Sequence, residues 1–183
     1  MNRLHLKVPN FDELSYRKQI LADPRTMAYN TGYNQENKGY DYKKGTIDFS
    51  EEKWSDWHKL WINNEPEKYY AYIMLDDTPI GEVALNYNRD FDCHLVHIMI
   101  EFSYRGKGYS EEALKLLMDV AFNKLKLHKV SDKLAADRDR AIKVLKKVGF
   151  KEKKLHISDI RFGRQEPAKY FELTKMNYLI KKK

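Results

Sequence analysis

The chain has 183 residues, of which 42% are hydrophobic and 33% charged, and its formal net charge is +7. This length predicts one domain over residues 1–183 with a substantial core. No apolar run reaches the ~20 residues that span a bilayer, and the N-terminus lacks a signal peptide's apolar segment. We therefore expect a cytoplasmic protein without a membrane partner. Cys93 is the single cysteine, and no Cys/His cluster has zinc-ligand spacing, so we expect no metal.

The positive charge raises the question of nucleic acid binding. Much of the excess lies in lysines at positions 143–154 and 181–183, and such runs are usually solvated surfaces. A nucleic-acid module would also need exposed aromatic side chains among its cations. Trp54, Trp57 and Trp61 instead recur at helical spacing and are expected in the core. We therefore expect no nucleic acid partner.

Periodicity and turn residues predict a mixed order of strands and helices. The predicted strands are residues 4–8, 69–75, 80–87, 95–100, 129–135, 155–162 and 169–173. Helices are predicted from residue 10 or 12 to about 23, over 25–29, from 50 to 61, from 110 to about 127, and from 137 or 139 to 148. Residues 30–45 are rich in Gly, Asn and Tyr, and this pattern is compatible with either a binding loop or a disordered tip.

The stretch from Leu95 to Ser110 organises the chain. An apolar strand over residues 95–100 is followed by Gly106 and Gly108, which allow a sharp turn and close approach of the backbone to a ligand. Ser110 can cap the next helix. Free N–H groups at a helix start favour an anion, and Arg105 and Lys107 add positive charge. An ordinary strand-to-helix turn is the alternative interpretation.

The residues Arg105-Gly106-Lys107-Gly108-Tyr109-Ser110 resemble the Gln/Arg-x-x-Gly-x-Gly/Ala signature of the GCN5-related N-acetyltransferase (GNAT) family. In that family this turn holds the pyrophosphate of acetyl-CoA. Ser110 departs from the last position of the signature, although serine is small enough to lie against the phosphates. The resemblance implies that all six residues bind coenzyme A.

A second segment, residues 137–150, resembles the family's Asn-x-x-Ala-Ile-x-Leu-Tyr-x-x-x-Gly-Phe helix. Arg138 stands where a coenzyme-contacting asparagine is usual, and it could meet a phosphate instead. Leu145 stands where many members have a tyrosine that protonates the departing thiolate, so that role cannot be assigned here. The resemblance further implies that free backbone groups of Met99 and Ile100 pair with the pantetheine arm.

The resemblance implies an α/β (α+β) fold, with a mixed, mostly antiparallel central sheet of six to seven strands. Helices flank this sheet, and a parallel strand pair splays apart at the coenzyme A site. The strand, helix and strand between residues 95 and 135 independently predict a parallel pair. The first two predicted hairpin strands should precede it, and a late hairpin should close the chain.

The implied reaction is direct transfer of acetyl from acetyl-CoA to a primary amine of a small molecule. The amine needs a base, and Glu82 and Glu101 are the candidates by strand position, with His97 as a third. A protein or peptide acceptor is an alternative, and so is a coenzyme A-binding module without catalysis. The sequence leaves the acceptor amine, the base and the oligomeric state open, a homodimer included.

Overall fold

The computed structural model describes residues 4–35 and 39–182. In these residues seven strands form one sheet in the order β1-β2-β3-β4-β5-β7-β6. Every neighbouring pair is antiparallel except β4–β5, which is parallel, so the expected fold class is confirmed. The strands are β1 (Leu4–Lys7), β2 (Lys68–Leu75), β3 (Thr78–Asn88), β4 (Cys93–Ile100), β5 (Lys129–Ala135), β6 (Lys151–Arg161) and β7 (Arg164–Thr174).

Helices cover both faces of the sheet. Alternation along β3 sends Val83 and Leu85 into a core with Leu114 and Leu117. On the opposite face Met99 packs with the first three helices. In the described residues, no helix is long and apolar enough to cross a membrane. The helices are α1 (Leu14–Ala22), α2 (Pro24–Met27), α3 (Trp54–Trp61), α4 (Tyr109–Asp119), α5 (Asp139–Val148) and α6 (Lys175–Lys182).

The parallel strands β4 and β5 part soon after they meet. Their ladder consists of His94 with Val130 and Leu95 with Ser131, although β4 continues to Ile100. Each strand is paired along its other edge, β4 with β3 and β5 with β7. The remainder of β4 therefore presents a backbone edge toward a gap in the sheet.

The described parts of the 30–45 loop contact the turn between β6 and β7. The N–H of Phe162 donates to the carbonyl of Gly32 at 2.6 Å, and the Arg161 Nε donates to the carbonyl of Thr31 at 3.0 Å. Phe162 also packs edge-on against Tyr42. Residues 36–38 of the predicted loop lie outside the described residues. The contacts join the loop to the late hairpin.

Three local features differ from the sequence-based expectations. Ser110 is not the cap of α4, because the N-cap is Gly108 and no side chain caps the helix. The end of α4 continues as a π-helical turn over Val120–Lys124. The helix α6 was not expected, since its lysines suggested only a charged terminus. Gly149 does end α5 with a left-handed φ of 118°.

Gly81 lets β3 and β4 approach closely beside the gap. A Cβ added there would lie 2.2 Å from the backbone oxygen of Met99. We expect Gly81→Ala to lower the free energy of unfolding by about 1–3 kcal/mol, the usual range for overpacking. Denaturant melts measure this change. Leu60→Ala is the control, because Leu60 is 55% exposed and should cost at most about 0.5 kcal/mol. Equal effects in both variants would contradict the prediction.

Candidate active site

The glycine turn before α4 faces open space. Gly106 and Gly108 have φ values of 80° and 86°, which side chains other than glycine rarely adopt. A Cβ added at either position would have no atom within 4 Å. Tyr109 and Ser110 begin α4, where the first N–H groups lack acceptors within the helix. With the helix dipole, this arrangement favours an anion above the turn.

The two cations of the turn behave differently. Arg105 donates from Nε to the carbonyl of Ile100 at 2.9 Å and from Nη2 to the carbonyl of Thr26 at 2.6 Å. It therefore ties the end of β4 to α2, and its charge acts on the turn from a fixed position. Lys107 is exposed, with Nζ 5.5 Å from the centroid of the Tyr104 ring. Lys107 can move toward a bound anion.

The free edge of β4 can be identified from the hydrogen-bond pattern. The N–H of Glu101 donates to the carbonyl of Ile80, and antiparallel ladders alternate between bonded and non-bonded pairs. Because the β3–β4 register is regular, Met99 directs its backbone groups to Glu82 on β3. Ile98 directs both of its backbone groups to the gap and Ile100 its N–H, because the Ile100 carbonyl already accepts from Arg105. Backbone groups of Ile98 and Ile100 are therefore open at this edge, whereas those of Met99 pair with β3.

Glu82 is enclosed in a polar cluster on the face that α1 covers. Its side chain is 2% exposed, and its carboxylate accepts hydrogen bonds from the Arg17 guanidinium and the Tyr70 hydroxyl. His97 Nε2 lies 3.2 Å from its other oxygen. Burial alone would raise the pKa of Glu82, but the Arg17 charge and the His97 hydrogen bond lower it to about 2. Glu82 therefore stays ionised at neutral pH.

Arg17 is held by aromatic faces as well as by Glu82. Its guanidinium carbon lies 4.7 Å from the centroid of the Trp57 ring, 5.2 Å from that of Tyr70 and 5.3 Å from that of Phe49. The cation attracts the π faces of these rings. The result is a charge pair fixed between α1 and β3, away from water.

His97 is the exposed end of this cluster. Its side chain is 43% exposed, against 2% for Glu82. It lies opposite Ala84 on β3, whose small side chain leaves the imidazole uncovered. Any molecule that reaches the cluster from solution therefore meets His97 before Glu82.

Glu101 lies at the end of β4 and is not part of the Glu82 cluster. It is partly exposed, and its carboxylate accepts from the Ser103 hydroxyl at 2.9 Å and from the Tyr16 hydroxyl at 3.4 Å. The structure thus brings His97 to Glu82, whereas Glu101 bonds Tyr16 of α1 and Ser103 instead.

Two further side chains lie beside the gap, and the sequence analysis missed one of them, Asp132. Tyr29 donates to the Met99 sulfur at 3.7 Å, and the Arg138 guanidinium carbon lies 4.9 Å from its ring centroid. Burial raises the pKa of Tyr29 to about 12. Burial also raises the pKa of Asp132 to about 6, against the charges of Arg138 and His97. Alternation could have revealed Asp132, since it falls between Val130 and Leu134 on an apolar strand face.

Comparison with known proteins relates this geometry to a family. A family model described as Acetyltransferase (GNAT) domain matches residues 3–151. An N-acetyltransferase 9-like protein from Nematostella vectensis is 28% identical over 110 residues, which is 52% of this chain and 54% of that protein. A probable N-acetyltransferase, YjcK, from Bacillus subtilis is 24% identical over 107 residues, or 57% of this chain and 59% of that protein. The chain matches little more than half the length of these curated relatives.

Solved structures share the fold over nearly the whole chain. A spermidine N-acetyltransferase from Vibrio cholerae, in complex with CoA and spermine, has a TM-score of 0.76 at 18% identity, covering 96% of this chain and 98% of that chain. An acetyltransferase of the GNAT family from Bacillus anthracis has a TM-score of 0.71 at 15% identity, covering 95% and 96%. Because the family model matches residues 3–151, the chain belongs to the GNAT acetyltransferase family.

Proposed function

We propose that this protein transfers acetyl from acetyl-CoA to a primary amine of a small molecule, by direct attack with both substrates bound. The observation that carries the proposal is the combination of two features, the glycine turn before α4 and the free edge of the strand β4 that precedes it. The open glycine turn at α4 suits the pyrophosphate. The free edge of β4 suits an extended amide-containing arm, which can bond to it as an added strand would.

Acidic groups near the gap support a positively charged acceptor. Glu101 directly follows β4 and Asp132 lies in β5, both beyond the point where the strands part, and carboxylates attract a protonated amine. The Vibrio cholerae enzyme with the same fold was solved with spermine. A small molecule with one or more amino groups is therefore the acceptor class that we propose.

The two carboxylates singled out by the sequence enter this proposal in different ways. Glu101 is partly exposed and can face an ammonium group directly. Glu82 is enclosed by Arg17, Tyr70 and His97, so it acts through the side chains that it binds. Its pKa of about 2 makes it a weak proton acceptor at neutral pH.

A coenzyme A-binding module without catalysis is the second candidate. Leu145, at the position of the family's usual proton donor, is 2% exposed and belongs to the main hydrophobic core. An apolar side chain cannot protonate a thiolate. Catalysis would then need water or another residue to supply that proton.

The deciding experiment is a thiol-release assay with acetyl-CoA and a panel of amines, run beside calorimetric titration of acetyl-CoA. The panel includes polyamines, monoamines, amino acids and short peptides with free N-termini. We expect acetyl-CoA binding and turnover with small amines. Binding without turnover on any amine would favour the non-catalytic module, and turnover confined to peptides would favour the peptide alternative.

Gly108→Glu tests the coenzyme turn. It places a side chain and a negative charge where we propose the pyrophosphate binds, so acetyl-CoA affinity should fall by at least about tenfold. Gly163→Glu is the matched control, because Gly163 also has a positive φ, of 71°, and no atom within 4 Å of an added Cβ. It lies in the β6–β7 turn and should leave affinity unchanged. Titration calorimetry on folded variants measures both, and unchanged binding by the Gly108 variant would exclude this site.

Arg138→Ala tests whether that guanidinium meets the phosphate on the coenzyme's ribose. If it does, the variant should bind coenzyme A more weakly, with a smaller change for dephospho-coenzyme A, since a charge-assisted hydrogen bond is lost only with the former. Arg140→Ala is the control, because Arg140 lies in the same helix start and is exposed. Equal losses for the two ligands would remove this role from Arg138.

A further inference from the structure

A chain of three side chains leads from α1 through the sheet face to the surface. Arg17 on α1 bonds one oxygen of Glu82 on β3, and His97 on β4 bonds the other. The first two members are enclosed, whereas the His97 imidazole is 43% exposed. The chain therefore connects a fixed buried charge pair to one titratable group that solvent and ligands can reach.

The direction of the His97 hydrogen bond follows from the chemistry of its partner. An ionised carboxylate can only accept, so the neutral imidazole carries its hydrogen on Nε2, where the 3.2 Å contact lies. Nδ1 is then left with a free lone pair. Arg17 holds Glu82 in place from the other side and keeps its charge, so the ring's tautomer and orientation are both set.

We propose that His97 accepts the proton of the acceptor ammonium, and that Glu82 and Arg17 are positioning residues that act through it. This inference rests on the proposed acetyl transfer. Imidazole Nδ1, directly or through one water, takes one proton from the ammonium. The freed nitrogen pair then forms the C–N bond to the thioester carbonyl carbon, and the C–S bond breaks. The second nitrogen proton goes to the departing sulfur, giving amide and thiol, and the imidazolium returns its proton to water.

The charged groups around His97 suit this role. Glu82 faces it from β3 and stabilises the imidazolium that forms, and Asp132 on β5 interacts with His97 electrostatically. Arg17 from α1 and Tyr70 from β2 bond the Glu82 oxygen that does not meet the ring. Asp132 is also the alternative proton acceptor, so Asp132→Asn belongs in the test.

The first test is His97→Gln, whose amide can still bond Glu82 but cannot take up a proton. We expect kcat for the amine to fall by about 10²–10⁴-fold, the range for loss of a general base, with acetyl-CoA affinity unchanged. His97→Ala should lose similar activity and recover part of it when imidazole is added, which a merely structural role would not allow. His156→Gln controls for loss of a histidine, because His156 is exposed on β6.

The second test concerns the positioning residues. Removing Glu82 alone would leave the Arg17 charge buried without its partner, so Arg17→Met and Glu82→Gln are combined. We expect this double variant to lose at least about tenfold in kcat. The same pair of changes added to His97→Gln should cause no further loss, because residues that act through one group are not additive. If the double change lowered kcat only by disturbing the structure, it would lower kcat further in the triple variant as well.

Each result has one meaning. If His97→Gln keeps wild-type turnover, or if Asp132→Asn is the only variant that loses it, the inference is overturned. The proposed function then still stands. Absence of imidazole rescue in folded His97→Ala overturns the role of His97 as proton acceptor. A further loss in the triple variant overturns the positioning roles. A wild-type protein that acetylates no amine overturns the proposed function and this inference with it.

Discussion

The early end of the β4–β5 ladder is the constraint on which the site depends. Parallel strands that paired along their whole length would close the sheet at this point, leaving no backbone edge for a ligand. Two pairs, His94 with Val130 and Leu95 with Ser131, hold the strands together before they part. Pairing of β4 with β3 and of β5 with β7 keeps both strands ordered beyond that point. The gap can therefore exist without local unfolding.

Arginine side chains fix the elements around this gap. Arg105 bonds the carbonyl groups of Ile100 and Thr26, which joins the end of β4 to α2. Arg17 joins α1 to β3 through Glu82. A buried ion pair contributes little net stability, but removing one of its partners leaves a buried charge unpaired and is costly. The pair therefore holds α1 in one position on the sheet. The same interaction orients the carboxylate that meets His97.

The two faces of the sheet have different tasks. Val83, Leu85 and Val96 pack with the helices α4 and α5 in an apolar core. The opposite face carries Glu82 and His97, and there the Arg17 guanidinium of α1 lies over the Trp57 ring of α3. Period-two alternation along β3 and β4 separates the two sets. One strand pair can therefore stabilise the domain and present polar groups to a substrate.

The sequence by itself determined most of the elements, the family and the position of the glycine turn. Strand alternation, helical periodicity and the left-handed stop at Gly149 are local patterns, and the Arg105–Ser110 motif lies within one turn. Only the tertiary structure decided which groups meet. Arg17, Glu82 and His97 come from three separate segments, so no local pattern relates them. The backbone edge at Ile98 depends on strand register, because a shift of one residue exchanges the groups that face β3 with those that face the gap.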